Sequence, residues 1–176
     1  NRKQGGSPVF PIQTSDYWEK RVLPGKWKNS QGTDRHRRTM YTYWRRMALH
    51  PTLELLNAPA RENCVVRRDV SNVPTQALAL MNDPIFSETA SAFAKRLLKE
   101  VKTDDVGRLD RAFRLALGRP PKEEEKKAFL RYLEREGKDL AKDAQAAEQI
   151  ADDPEHAVWT LACSVLLNLD ETITRP

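Results

Sequence analysis

Apolar positions along the chain recur at helical spacing between clusters of turn-forming residues. Met40, Tyr43, Trp44 and Met47 sit at i, i+3, i+4 and i+7, which predicts a helix from about Arg37 with one apolar stripe. Arg37, Arg38, Arg45 and Arg46 flank that stripe. Pro51 is expected to end this helix, because the residue before a proline is pushed away from α conformation. LNAPARENCVVRRDVSN then reads as a loop with a short extended piece at CVVRR, and NVPTQALALMND as a short helix with proline near its start. In NDPIFSETASAFAKRLLKE, Asp83 is placed to cap and Pro84 to occupy the first helical position. Its expected buried face runs through Phe86, Ala90, Phe93, Ala94, Leu97 and Leu98.

A further helix is predicted from about Asp105 to Leu117, stopped by Gly118. Three glutamates after RPPK suit the positive end of the next helix. A final helix follows DDPEH, apolar through Trp159, Leu161, Ala162, Val165, Leu166 and Leu169, with His156 expected at the surface. The pattern predicts an all-α fold: a compact multi-helix domain over 36–176, preceded by an irregular, aromatic-rich N-terminal arm over 1–35. That arm carries Val9, Phe10, Tyr17, Trp18 and Trp27, so it is expected to lie along a surface, its own or that of an upstream or partner region. Tyr43, Trp44, Cys64, Asn82, Asp83 and Trp159 are the expected structural residues.

Charge divides the chain. Residues 1–72 hold 14 Lys and Arg against 6 Asp and Glu, a net of +8, while residues 73–176 hold 16 against 19, a net of −3. Such a basic half suits an acidic surface, its own or a partner's, more than nucleic acid, since no helix-turn-helix, zinc finger or other nucleic-acid motif accompanies it. Nucleic-acid binding stands as a third reading, behind a scaffold and an enzyme. No run approaches the roughly 18 apolar residues of a membrane span, so none is expected.

Candidate chemistry is sparse. His36, His50 and His156 lack ligand spacing, G-x-S-x-G is absent, and two cysteines cannot build a zinc site unaided, so no metal and no catalytic residue is assigned. Cys64 and Cys163 either pair in a disulfide or stay as thiols. There is no C-x-x-C-H, so this chain binds no haem covalently. The polar cluster Arg61, Glu62, Arg67, Arg68, Asp69, Asn72, Gln76, Asn82 and Asp83 is expected to lock the loop onto helices. Arg61, Arg67, Arg68 and His50 are the candidates for an anion- or substrate-facing site.

At this cluster the sequence resembles a known family. RRTMYTYWRRMALHP, then NAPARENCVVRRDVSNVPTQALALMNDP, is similar to the signature of the planctomycete-type C-terminal domain of unknown function, family 1553. Asn57 stands where that pattern has aspartate, and Val73 where it has threonine. AFRLALGRPPKEEE and the closing WTLACSVLLNLDETITRP resemble its later segments, and GGSPVFPIQTSDYWE its entry. The resemblance implies a part of an exported multidomain protein, periplasmic or at the cell surface, whose domain begins upstream of Asn1. It implies the upstream part as a partner, with a cytochrome-c-like module that carries the haem. The role implied is a structural or interaction module of a redox assembly. An alternative is an active site shared with the upstream part, for oxidative or polysaccharide-related chemistry. No catalytic residue comes with the resemblance.

Overall fold

The computed structural model describes residues 1–13, 27–44, 48–60, 63–67, 69–102 and 104–174. Among them are eight α-helices and no strand, an all-α fold. The helices are α1 (Pro51–Leu55), α2 (Pro74–Asn82), α3 (Pro84–Glu100), α4 (Asp105–Leu117), α5 (Glu123–Lys142), α6 (Ala144–Ile150), α7 (Pro154–Leu167) and α8 (Asp170–Ile173). The chain forms two compact units, Asn1–Ala79 and Leu80–Pro176.

The second unit follows the apolar periodicity closely. The Asp83 carboxylate accepts from the Ile85 amide, and Pro84 follows at a position where a missing N–H costs nothing. Asp104 and Asp153 cap α4 and α7 in the same way. Gly118 closes α4 with φ 74°, a left-handed turn that glycine adopts without strain. α3 packs along α7, and α5 and α6 lie against α7 as well. Ala90, Ala94 and Leu97 of α3, Leu109, Ala112 and Phe113 of α4, Phe129 and Leu133 of α5, and Trp159, Ala162, Cys163 and Leu166 of α7 form one buried core. Phe113 and Phe129 meet edge to face at 5.4 Å. Leu140, Ala147 and Ala157 make a smaller cluster beside it.

Two side chains of α7 depart from expectation. His156 is buried, not at the surface: its Nε2 lies 3.0 Å from the Ser91 carbonyl and 3.2 Å from the Ser91 hydroxyl. The ring fills space against α3 while its polar tip finds a backbone partner, which is what burial of an imidazole requires. Val165, expected in the buried face, is 38% exposed.

The first unit contains the larger correction. Residues 37–44 are not helical beyond one 3₁₀ turn, Thr39–Tyr41. Arg38 and Thr42 on either side of that turn have ψ of 141° and 132°, away from helical values. Thr42 instead forms a parallel bridge with Val9: the Val9 amide donates to the Tyr41 carbonyl at 2.8 Å and the Tyr43 amide to the Val9 carbonyl at 2.7 Å. Met40 of the expected stripe is 62% exposed, and Arg45, Arg46 and Met47 lie outside the described residues. Long-range pairing with the arm thus supplies the backbone bonds that a helix would have made. Pro51 opens α1, with His50 as its cap residue, rather than ending a helix.

The described arm is held inside this unit. Phe10 stacks on Tyr43 at 4.8 Å and meets Trp27 edge to face at 5.1 Å, while the Trp27 ring lies 5.6 Å from His50. Trp27 Nε1 donates to the Pro11 carbonyl. Arg37, buried, donates to the carbonyls of Lys3, Gly5 and Ser7, gathering the first turn of chain around its guanidinium. Trp44, expected to be a core residue, is half-buried.

Candidate functional site

The loop between α1 and α2 is tied at its base by three amino acids. α1 ends at Leu55, and Asn57 takes φ 55°, a left-handed turn that asparagine tolerates better than most residues. Its amide donates to the Ser71 hydroxyl at 2.5 Å and approaches the Asp69 carbonyl at 3.5 Å. Gln76, in the first turn of α2, is 4% exposed. Its Nε2 donates to the Leu55 carbonyl and to the Ser71 hydroxyl, both at 2.8 Å, and its Oε1 accepts from the Val73 amide at 3.2 Å. One buried amide therefore holds the end of α1, the loop and the start of α2 together. Ser71 Oγ accepts two bonds, which uses both lone pairs of its oxygen. An aspartate at 57 could not donate here; it would accept the serine proton instead.

Above this latch the chain turns outward. Asn63, Cys64, Val65, Val66 and Arg67 are exposed, as are Asp69, Val70, Asn72 and Val73. Val66 is fully exposed, and Val65 and Val70 are more than half exposed. Leu78, on α2, is 55% exposed although Gln76 and Leu80 of the same helix are buried. A helix apolar on its solvent side, next to a run of outward valines, departs from the usual polar exterior.

Of the four candidate ligand residues, Arg67 is exposed on this loop, whereas Arg61 and Arg68 lie outside the described residues. His50 is buried among aromatics, and its Nε2 lies 3.2 Å from the Ile12 carbonyl. No described contact joins His50 to Arg67, one buried in an aromatic cluster and the other facing solvent. Of the expected structural residues, Tyr43 and Trp159 are packed and Asp83 caps α3, while Asn82 at the end of α2 is exposed. Cys64 is exposed and Cys163 buried, and neither is in a disulfide. Burial pushes the Cys163 thiol up to about 12, so it stays protonated and inert near neutral pH.

The second unit holds an open cleft of about 290 Å³ lined by Asp105, Leu130, Leu133, Glu134, Glu155, Val158 and Trp159. Arg108, buried at its rim, donates to Glu155 at 2.5 Å, to Asp105 at 3.2 Å and to the Val101 carbonyl at 2.9 Å. Trp159 Nε1 adds a bond to Asp105. Glu134 pairs with Lys138, which holds its carboxyl below the usual range. These carboxylates are thus engaged in tying α4, α5 and α7 to their own neighbours. Among the described residues no group of three or more His, Cys, Asp or Glu could hold a metal ion, and no helix is long and apolar enough to cross a membrane.

The family model of PSD1, described as protein of unknown function (DUF1553), matches residues 1–133. The chain belongs to this family. All three latch residues, Asn57, Ser71 and Gln76, and the exposed valine run lie inside the matched span. Glu134, Glu155 and Trp159 of the cleft lie beyond it, as does the closing helix that the sequence likened to the family. No curated protein and no solved structure matches the chain.

The polar cluster 61–83 is where the sequence pointed, but the residue that matters most there is Gln76. A readable signal existed: Gln76 is i−4 to Leu80 on an otherwise apolar short helix, so a polar group faces inward and must be satisfied. Arg108 had no such signal, because its position in α4 reads like any amphipathic flank.

Proposed function

We propose that this PSD1-family chain is a structural and interaction module of a larger exported protein, and that its docking surface is the latched loop between α1 and α2. The observation that carries this reading is the run of exposed apolar side chains, Val65, Val66, Val70, Val73 and Leu78, on a segment whose base is fixed by Gln76. A segment already held in shape loses less entropy on docking, so rigid support beneath exposed apolar groups favours association. The partner is the region that precedes this chain in its parent. Cytochrome-c-like modules of that parent supply the redox setting, and any haem is carried there.

The test is co-expression of the chain with the preceding region of its parent, each with its own tag, followed by co-purification. Wild type is expected to co-purify, and Val66→Asp to lose the partner while its thermal unfolding is unchanged. Val66 touches no packed core, so unchanged unfolding separates lost docking from lost folding. Co-purification indifferent to Val66→Asp contradicts the reading.

A further inference from the structure

Arg37 is a buried cation with no carboxylate beside it. The residue is 7% exposed, and its guanidinium donates to the carbonyls of Lys3, Gly5 and Ser7 while lying 3.9 Å from the centre of the Tyr41 ring. Its Nε is buried and makes no hydrogen bond among the described residues. Carbonyl dipoles and a ring face offset part of the cost of burying a charge, but neither carries the opposite charge. Arg38, exposed, lies 5.8 Å from the same ring centre. Among the described residues no ion pair joins either arginine to a carboxylate, Asp34 of the preceding turn included. Tyr41 stands between the two charges. Its oxygen accepts from the Gly5 amide at 3.0 Å, and its own proton has no acceptor among the described residues. The Gly5 amide, with Arg38 and Arg37 nearby, holds the phenol below its usual pKa, which makes it a better donor to an anion. The chain next to it is bare: a Cβ at Gly5 would meet nothing within 4 Å.

We propose that Arg38 and Tyr41 bind a phosphate monoester group, with Arg37 as a fixed positive charge behind the ring. An arginine fork matches two phosphate oxygens and a phenol donates to a third. The group carries about −1.5 to −2 near pH 7, which answers the two guanidiniums in a way that a singly charged anion does not. The site uses residues other than the valine surface, so it stands or falls independently of the docking reading.

The full chain is titrated by isothermal calorimetry, in low-salt buffer, with inorganic phosphate, glycerol 3-phosphate, dimethyl phosphate and acetate. Inorganic phosphate and glycerol 3-phosphate are expected to bind at least about tenfold more tightly than the singly charged dimethyl phosphate and acetate. Arg38→Ala and Tyr41→Phe are each expected to weaken both phosphates about tenfold. Thermal unfolding should be unchanged, because Arg38 is exposed and phenylalanine keeps the ring beside Arg37. Should Tyr41→Phe unfold earlier, Arg38→Ala alone decides. Equal affinity for all four anions overturns the proposal, as does phosphate binding that ignores Arg38→Ala. Phosphatidic acid vesicles present the same group on a surface, and sedimentation of the chain with them while neither soluble phosphate binds overturns it too.

Discussion

Replacing Gln76 by alanine removes three hydrogen bonds at once. The Leu55 carbonyl and the Ser71 hydroxyl lose a donor, and both belong to half-buried residues. The Val73 amide loses its acceptor, but Val73 is exposed and water can replace the glutamine oxygen at little cost. At about 1 kcal/mol for each partly buried bond and a few tenths for the exposed one, the loss comes to roughly 2–3 kcal/mol. Gln76→Glu is sharper: the carboxylate still accepts from Val73 and can take the Ser71 hydroxyl proton, but it cannot donate to Leu55 and meets that half-buried carbonyl with a negative charge. It should therefore cost as much as alanine or more, despite its near-identical shape. Urea unfolding followed by circular dichroism gives the free energies, and limited trypsin digestion at Arg67 reads the local consequence. Cleavage there should accelerate in both variants. A loss below about 0.5 kcal/mol in both variants, with cleavage unchanged, refutes the latch, because it means water satisfies these groups as well as Gln76 does.

Other consequences follow from burial and charge. Leu97→Ala, at a site with 0% exposure in the α3–α7 core, should cost about 3 kcal/mol, whereas Leu78→Ala should fall within about 0.5 kcal/mol of wild type in the same unfolding assay. Equal costs would show that α2 buries Leu78 after all. A thiol reagent such as 5,5′-dithiobis(2-nitrobenzoate) should label one cysteine, Cys64, in the native chain and two in denaturant, since Cys163 is buried and its thiol held neutral; two thiols labelled at once in the native chain would contradict the packing of α7. Arg119 binds Glu125 through two nitrogens and Glu171 through two, and its guanidinium holds the Glu125 carboxyl down to about 2. The folded carboxyl thus titrates below its unfolded value of 4.5, so the pair stabilises the fold fully above pH 4.5 and the contribution is lost as pH falls toward 2. Glu125→Gln should flatten the acid limb of the melting temperature between those values, and an unchanged acid limb would remove the ion pair from the account.

The second unit was legible in the sequence because its elements are punctuated locally. Asp-Pro pairs open α3 and α7, Gly118 closes α4, and the stripe from Ala90 to Leu97 needs no distant partner to be read. The first unit was not, because Tyr41 and Tyr43 take a backbone partner from Val9, more than thirty residues away. The spacing of Tyr43 and Trp44 fits a helix equally well, and only the long-range bridge decides against it. His156 misled for a similar reason: the first turn of a helix is usually solvated, but here Ser91 of another helix faces it. At the candidate site the polar cluster was readable, but among its described residues it is Gln76 that ties the loop to α1 and α2, while Arg67, Asp69 and Asn72 are exposed and Arg61, Glu62 and Arg68 lie outside the described residues. The outward valines were not readable, since an apolar residue in a sequence carries no sign of whether anything covers it.

Hydrogen–deuterium exchange of the chain, alone and mixed with the proposed partner, the preceding region of its parent, tests the proposed docking surface most directly. The amides of Asn63–Arg67 have no partner among the described residues of the chain by itself and should exchange rapidly. The account predicts strong protection of residues 63–73 in the complex, with the core of α3 and α7 unchanged. Protection elsewhere on the chain, with 63–73 still exchanging at its unbound rate, would contradict it.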